Sequence, residues 1–178
     1  LTALTALRLF MQREKILFDR EAIYRGMKKA RWTGRLELLS KDPLTLIDGA
    51  HNAGGALVLA KTIEDLLAEY EITLVFGMLK DKEVEETAKI LLPLAKRVIT
   101  ATVQSERSTS AQELADRLRP YHSRIEMSKS LAEAVRKAEQ MTDARRGAII
   151  YAGSLYMIGE VRGLLTQGAG STERIAPE

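Results

Sequence analysis

The stretch Leu44-Thr45-Leu46-Ile47-Asp48-Gly49-Ala50-His51-Asn52 decides how the chain is read. Its first four residues form an apolar run of strand length. After Asn52 the apolar residues Ala56, Leu59, Ala60, Ile63, Leu66, Leu67 and Tyr70 recur at the spacing of one helix face, predicting a helix from about Asn52 to Glu69. Asp-Gly permits the chain to turn, and Asn is a good helix cap. A strand therefore passes through a tight polar turn directly into a capped helix.

Working outward, the same alternation continues. Ile72 to Phe76 is a strand, Glu83 to Leu92 a helix stopped by Pro93, and Arg97 to Val103 a strand. Ser110-Ala111-Gln112-Glu113 and Ser130-Leu131-Ala132-Glu133 fit the capping box, so helices start at both, with a weak strand around Arg124 to Met127 between them. Ala148 to Tyr151 and Leu155 to Leu165 supply the last strand and helix. Upstream, Leu36 to Leu39 pairs with Leu44 to Ile47 around Ser40-Lys41-Asp42-Pro43 as a hairpin. Continuous apolar strands mean that both sheet faces are covered. The expected class is α/β: doubly wound, with a mostly parallel Rossmann-like sheet, an antiparallel edge hairpin and helices on both faces.

Residues 1–30 have a different rhythm. Leu4, Leu7, Phe10, Met11 and Ile16, then Ile23, Met27 and Ala30, predict two short helices with little to bury against each other, and a domain boundary is placed near Arg31. Residues 31–168 form the main domain. The tail, 169–178, rich in Gly, Ser and Pro, is expected to fray. The chain starts at Leu1 without a methionine and opens in mid-pattern, which leads us to expect a piece of a longer protein.

Composition removes several function classes. In 178 residues, 46% hydrophobic and 29% charged, a globular core can be buried, and wholesale disorder is excluded. A net charge of +3 with interleaved signs gives little support for a nucleic-acid partner. No window approaches the ~20 apolar residues of a membrane span, and no secretory signal pattern is present, so no membrane partner and a cytoplasmic location are expected. Zero cysteines exclude disulfides and thiolate chemistry, and two histidines, His51 and His122, leave no all-histidine zinc site.

In an open parallel sheet, ligands bind beyond the carboxyl ends of the strands. Four strings fall there. In Asp48-Gly49-Ala50-His51-Asn52, Asp48 can accept from hydroxyls or hold a cation through water, and His51 can meet a carboxylate or phosphate. Turn chemistry would explain each residue singly. In Phe76-Gly77-Met78-Leu79-Lys80-Asp81-Lys82-Glu83, Lys80 or Lys82 could face an anion, although a charged helix cap is the simpler reading. In Ala152-Gly153-Ser154-Leu155-Tyr156, Ser154 stands at a helix start, as a cap, as an anion donor, or as both. In Trp32-Thr33-Gly34-Arg35, Arg35 is either a surface charge beside a packing Trp or a phosphate contact. Arg107, in the polar loop from Val103 to Ser110, could join the same cleft, with a solvated loop as the default. No Gly-x-x-x-x-Gly-Lys-Ser/Thr P-loop occurs.

Taken together and in order, Trp32-Thr33-Gly34-Arg35-Leu36-Glu37, Asp48-Gly49-Ala50-His51-Asn52, Phe76-Gly77-Met78-Leu79 with Asp81-Lys82, and Gly153-Ser154-Leu155-Tyr156 with Gly159-Glu160 and Arg162 resemble the C-terminal part of folylpolyglutamate synthase/dihydrofolate synthase, in the Mur ligase superfamily. The resemblance spans about Arg31 to Leu165. Thr33 and Ala53 stand where that family commonly has Pro, and Glu83 where Asp is usual.

The resemblance implies an ATP-dependent amide-bond ligase. ATP phosphorylates the carboxylate of dihydropteroate or a folate, and the amine of L-glutamate attacks the acyl phosphate. It further implies that residues 1–30 are the last helices of a central ATPase domain. The P-loop and the Mg²⁺ ligands would lie in that N-terminal part of the same protein. By motif position, Arg35 and Asp48 would contact ATP, Arg35 near the phosphates and Asp48 near the ribose or the nucleotide's domain edge. His51, Lys82 and Ser154 would hold glutamate, with His51 and Lys82 also expected to act in catalysis. A monomer is expected. Two competing readings are a non-catalytic α/β module that binds a nucleotide or amino acid, and the C-terminal domain of another Mur-type ligase. The first accounts for the fold and the missing P-loop but not for four functional strings at strand ends.

Overall fold

A computed structural model describes residues 2–17, 19–30 and 32–168. The boundary residue Arg31 and the tail 169–178 lie outside the described residues. The chain divides into two compact units, Leu1–Trp32 and Thr33–Glu178.

The first unit holds two helices, α1 (Thr2–Arg13) and α2 (Arg20–Lys29). Asp19 caps α2 by accepting the Ala22 N–H at 3.0 Å. Leu7, Leu9, Phe10, Tyr24 and Met27 are exposed, and α2 buries no residue. Two helices of this length cannot enclose a core of their own.

The second unit is built on six strands: β1 (Glu37–Lys41), β2 (Leu44–Ile47), β3 (Glu71–Phe76), β4 (Arg97–Thr100), β5 (Ile125–Met127) and β6 (Gly147–Ala152). They lie in the order β1-β2-β6-β3-β4-β5. The β1–β2 pair is antiparallel and the rest are parallel, as the apolar runs required. Between them run α3 (Ala53–Leu66), α4 (Val84–Leu91), α5 (Ala111–Leu118), α6 (Leu131–Met141) and α7 (Leu155–Gly168).

Side chains of the central strands alternate between two cores. Leu74, Phe76, Ala148 and Ile150 join Ala56, Leu59, Val84, Leu91, Leu114 and Leu118, so α3, α4 and α5 cover one face. Val75, Ile149 and Tyr151 join Leu131, Ala134, Met157 and Val161, so α6 and α7 cover the other. The doubly wound class is thereby observed. No helix among the described residues is long and apolar enough to cross a membrane.

Several local readings need correction. Leu66 is 69% exposed and Tyr70 lies beyond the end of α3, because the helix stops at Leu66 and its buried stripe is Ala56, Leu59, Ala60 and Ile63. Strand β4 ends at Thr100 rather than Val103; Ala101 still donates its N–H to the Phe76 carbonyl at 3.0 Å, after which the chain leaves the ladder. Pro93 does not end the helical path abruptly, since Leu92–Leu94 form a 3-10 turn. The capping boxes are half realised. Ser110 and Ser130 accept the N–H groups of Glu113 and Glu133, but the Glu133 carboxylate takes the Lys129 N–H instead of that of the cap residue. Helix α7 continues through Gln167 and Gly168.

Strand register aligns the loops at one end of the sheet. Ile47 pairs with Tyr151, Ala152 with Phe76, and Phe76 with Thr100. Four strands therefore end level, and the loops that begin at Asp48, Gly153, Gly77 and Ala101 leave one edge of the sheet together.

Candidate functional site

At that edge lies a cleft of about 160 Å³ lined by His51, Leu79, Lys82, Arg107, Gly153, Ser154, Leu155 and Tyr156. It draws on the β2–α3, β3–α4, β4–α5 and β6–α7 loops, which are separate in sequence and adjacent only because the strands end level. Three residues expected to hold an amino acid, His51, Lys82 and Ser154, are brought together.

Each is held by a local device. His51 is half-buried and its Nδ1 lies 2.7 Å from the Gly49 carbonyl. A carbonyl can only accept, so Nδ1 carries a proton, and in the tautomer this selects the lone pair is on Nε2. Ser154 is buried and caps α7, its Oγ accepting the Tyr156 N–H at 3.2 Å and its carbonyl the Ile158 N–H at 3.1 Å. Its hydroxyl proton is left for another acceptor. Lys82 is half-buried, with its backbone N–H on the Leu79 carbonyl at 3.2 Å. Its ammonium has no ion pair or hydrogen bond among the described residues. The structure also distinguishes the two lysines: Lys82 lines the cleft, whereas Lys80 is exposed outside it.

For Arg107 the default expectation is a solvated loop; its side chain is indeed exposed, but it also lines the cleft. Leu79 and Ser108 form an antiparallel bridge, the Lys80 N–H reaches the Arg107 carbonyl at 2.8 Å, and the Thr109 N–H reaches the Met78 carbonyl at 3.0 Å. The β4–α5 loop is thus zipped to the β3–α4 loop, and Arg107 is carried into the cleft, where its guanidinium pairs with Asp81. The Asp81 carboxyl titrates below its usual range: desolvation opposes this, and a hydrogen bond from its own backbone together with Arg107 outweighs it. The sequence signal for Arg107 is only its place after a strand; its pairing with Asp81 needs residues 26 apart to meet.

Arg35 and Asp48 do not line the cleft. Each Asp48 oxygen accepts one backbone N–H, Oδ2 that of Leu36 and Oδ1 that of Ala50, both at 2.8 Å. It ties the segment before β1 to the end of β2. Glu37 assists, accepting the Gly34 N–H at 2.7 Å and the Arg162 guanidinium at 2.9 Å, and the Gly49 N–H meets the Gly34 carbonyl at 2.9 Å. This framework holds the backbone at exposed Arg35, whose side chain has no partner among the described residues. Trp32 and Thr33 are exposed.

No group of three or more His, Asp or Glu that could hold a metal ion occurs among the described residues. The donors here do not fit Mg²⁺. The cleft offers instead cations, hydroxyl and amide donors, and one imidazole lone pair, a set suited to carboxylates and an amine.

The sequence signature described as "Mur ligase, glutamate ligase domain" matches residues 34–155. A dihydrofolate synthase/folylpolyglutamate synthase of Bacillus subtilis is 34% identical over 145 residues, covering 80% of this chain and 32% of that protein. The fold overlays on the Mycobacterium tuberculosis folylpolyglutamate synthase complexed with ADP, with a TM-score of 0.80 and 25% identity, over 92% of this chain and 38% of that one. It also overlays on a bifunctional folylpolyglutamate synthase/dihydrofolate synthase with Mn, AMPPNP and L-glutamate bound, with a TM-score of 0.74 and 28% identity, over 85% of this chain and 36% of that one. The chain spans about a third of the length of these proteins.

Proposed function

The chain belongs to the Mur ligase glutamate ligase domain family, and from that premise we propose that it is the amino-acid-binding part of an ATP-dependent ligase that joins L-glutamate to dihydropteroate or a folate through an acyl phosphate. The observation that carries this reading is the convergence of Lys82, His51 and Ser154 on one cleft at the level strand ends. The relatives' names supply the substrate class, and one overlaid relative binds L-glutamate.

In this reading Lys82 takes one carboxylate of glutamate, and the Ser154 hydroxyl with the first amides of α7 donates to the substrate as well. His51, its Nδ1 proton committed to Gly49, presents Nε2 to the substrate ammonium and can take the proton the amine must lose before it attacks. Both steps concentrate negative charge, so these residues serve mainly to position and to stabilise charge. Arg35 would reach the ATP phosphates from the segment that Asp48 and Glu37 hold, with Asp48 at the nucleotide's edge. The Mg²⁺ ligands and the P-loop would belong to a central domain of the same protein, of which residues 1–30 would be the last helices. The exposed apolar side chains of that unit suit a segment covered by more protein. The whole would be a cytoplasmic monomer without a nucleic-acid or membrane partner.

The test is Lys82→Ala in the full-length protein. Removing one charge-assisted contact worth about 2 kcal/mol should raise the KM for L-glutamate roughly 30-fold and leave that for ATP within about threefold. An unchanged glutamate KM would overturn the assignment.

A further inference from the structure

We propose that Arg107 reads the side-chain carboxylate of the incoming amino acid and so makes the cleft select a dicarboxylic over a monocarboxylic acceptor. This rests on the reading of the cleft as the glutamate site and assigns to it a residue outside the set expected there.

Charge balance comes first. Glutamate reacts through its amine, so both of its carboxylates remain ionised and must be matched at once. Lys82 supplies one unpaired positive charge among the described residues. His51 with a protonated Nδ1 offers a lone pair, and Ser154 a neutral hydroxyl. Among the described residues, the only other full positive charge lining the cleft is Arg107.

Its backbone is fixed on both sides. The Arg107 carbonyl accepts from Lys80 and its own N–H reaches Ser105 Oγ at 3.2 Å. Next to it, Ser108 Oγ accepts the Val103 N–H at 2.9 Å and donates to the Thr109 carbonyl at 3.0 Å.

The guanidinium, by contrast, is held exchangeably. Its partner Asp81 engages a single guanidinium nitrogen, Nη2, and the two side chains are 60% and 47% exposed, so water and salt compete for the pair. Most of the guanidinium fork remains open, and a carboxylate fits it with two parallel hydrogen bonds. Asp81 then acts as a stand-in that keeps the guanidinium oriented until the substrate carboxylate shares or replaces it. A side-chain amide lacks the charge to do this, which disfavours glutamine.

The experiment compares L-glutamate with L-glutamine as acceptors for the full-length protein at saturating ATP. Arg107→Gln is expected to raise the glutamate KM by about 30-fold, change kcat by less than about threefold, and leave the poor use of glutamine where it was. Arg107→Lys should recover only part of the loss, because an ammonium cannot form the paired contact. An equal loss for both amino acids would reduce Arg107 to a loop brace, and an unchanged glutamate KM would remove it from the site; either result overturns the proposal. Glutamate-dependent turnover that is lost in Lys82→Ala but indifferent to Arg107→Gln sinks this inference alone. A wild type with no glutamate-dependent ADP release sinks the ligase reading and the inference with it.

Discussion

Gly153 shows how much of the site depends on one missing atom. Its φ of +114° lies where side chains other than glycine are strained, and a Cβ there would stand 2.6 Å from the Gly77 carbonyl and 2.9 Å from Met78 Cγ. Gly153 thus lets the β6–α7 and β3–α4 loops approach closely enough to share a cleft. Gly153→Ala should lower stability by about 2 kcal/mol or more in urea denaturation and distort the position of Ser154, whereas Gly159→Ala in α7, where a Cβ meets open space, should be neutral or stabilising by up to about 1 kcal/mol. Equal denaturation midpoints for Gly153→Ala and wild type would contradict the close approach. Asp48 is the complementary case. Read alone it is a plausible ligand to a nucleotide; in the fold each of its oxygens also accepts one backbone N–H, a role that cannot be read without knowing that Leu36 lies within reach.

Elements were legible where their causes are local. Asn52, Ser110 and Ser130 all cap helices, each accepting an N–H three residues ahead, and such contacts need no tertiary information. The link between α4 and α5 is different in kind. Arg117 grips Glu85 with two hydrogen bonds, at 2.7 and 2.9 Å, across 32 residues. The hydrogen bond from Arg117 is the largest influence on Glu85 and holds its carboxyl below the usual range. A carboxyl whose pKa is lower in the folded than in the unfolded chain adds stability above its unfolded value, about 4.3, and loses that contribution as pH falls through the folded value. Glu85→Gln should therefore cost no more than about 1 kcal/mol at pH 7, since the pair is partly exposed. The gap to wild type should close below about pH 4, as thermal melts across pH would show; a gap that persists in acid would mean the carboxylate charge is not what stabilises the pair.

At the scale of the whole molecule, the division of labour can be tested directly. No P-loop occurs in the 178 residues and no metal-holding cluster among the described ones, so this chain alone should release no ADP above background when given ATP, a folate and glutamate. Measurable turnover would refute the assignment of phosphate chemistry to another part of the protein. The amino-acid sequence by itself determined the class of fold. Strand-length apolar runs alternating with amphipathic helices leave few ways to bury both sheet faces, and hydrophobic periodicity is a property of neighbours along the chain. It also indicated the strings that end strands. Only the tertiary structure decided which of those strings meet: that His51, Lys82 and Ser154 share a cleft, that Lys80 stands outside it, that Asp48 accepts backbone N–H groups, and that Arg107 enters from a fourth loop. The reason is register. Which strand ends stand level, and which loops are zipped together, is set by hydrogen bonds between residues far apart in the chain, and no local pattern encodes those distances.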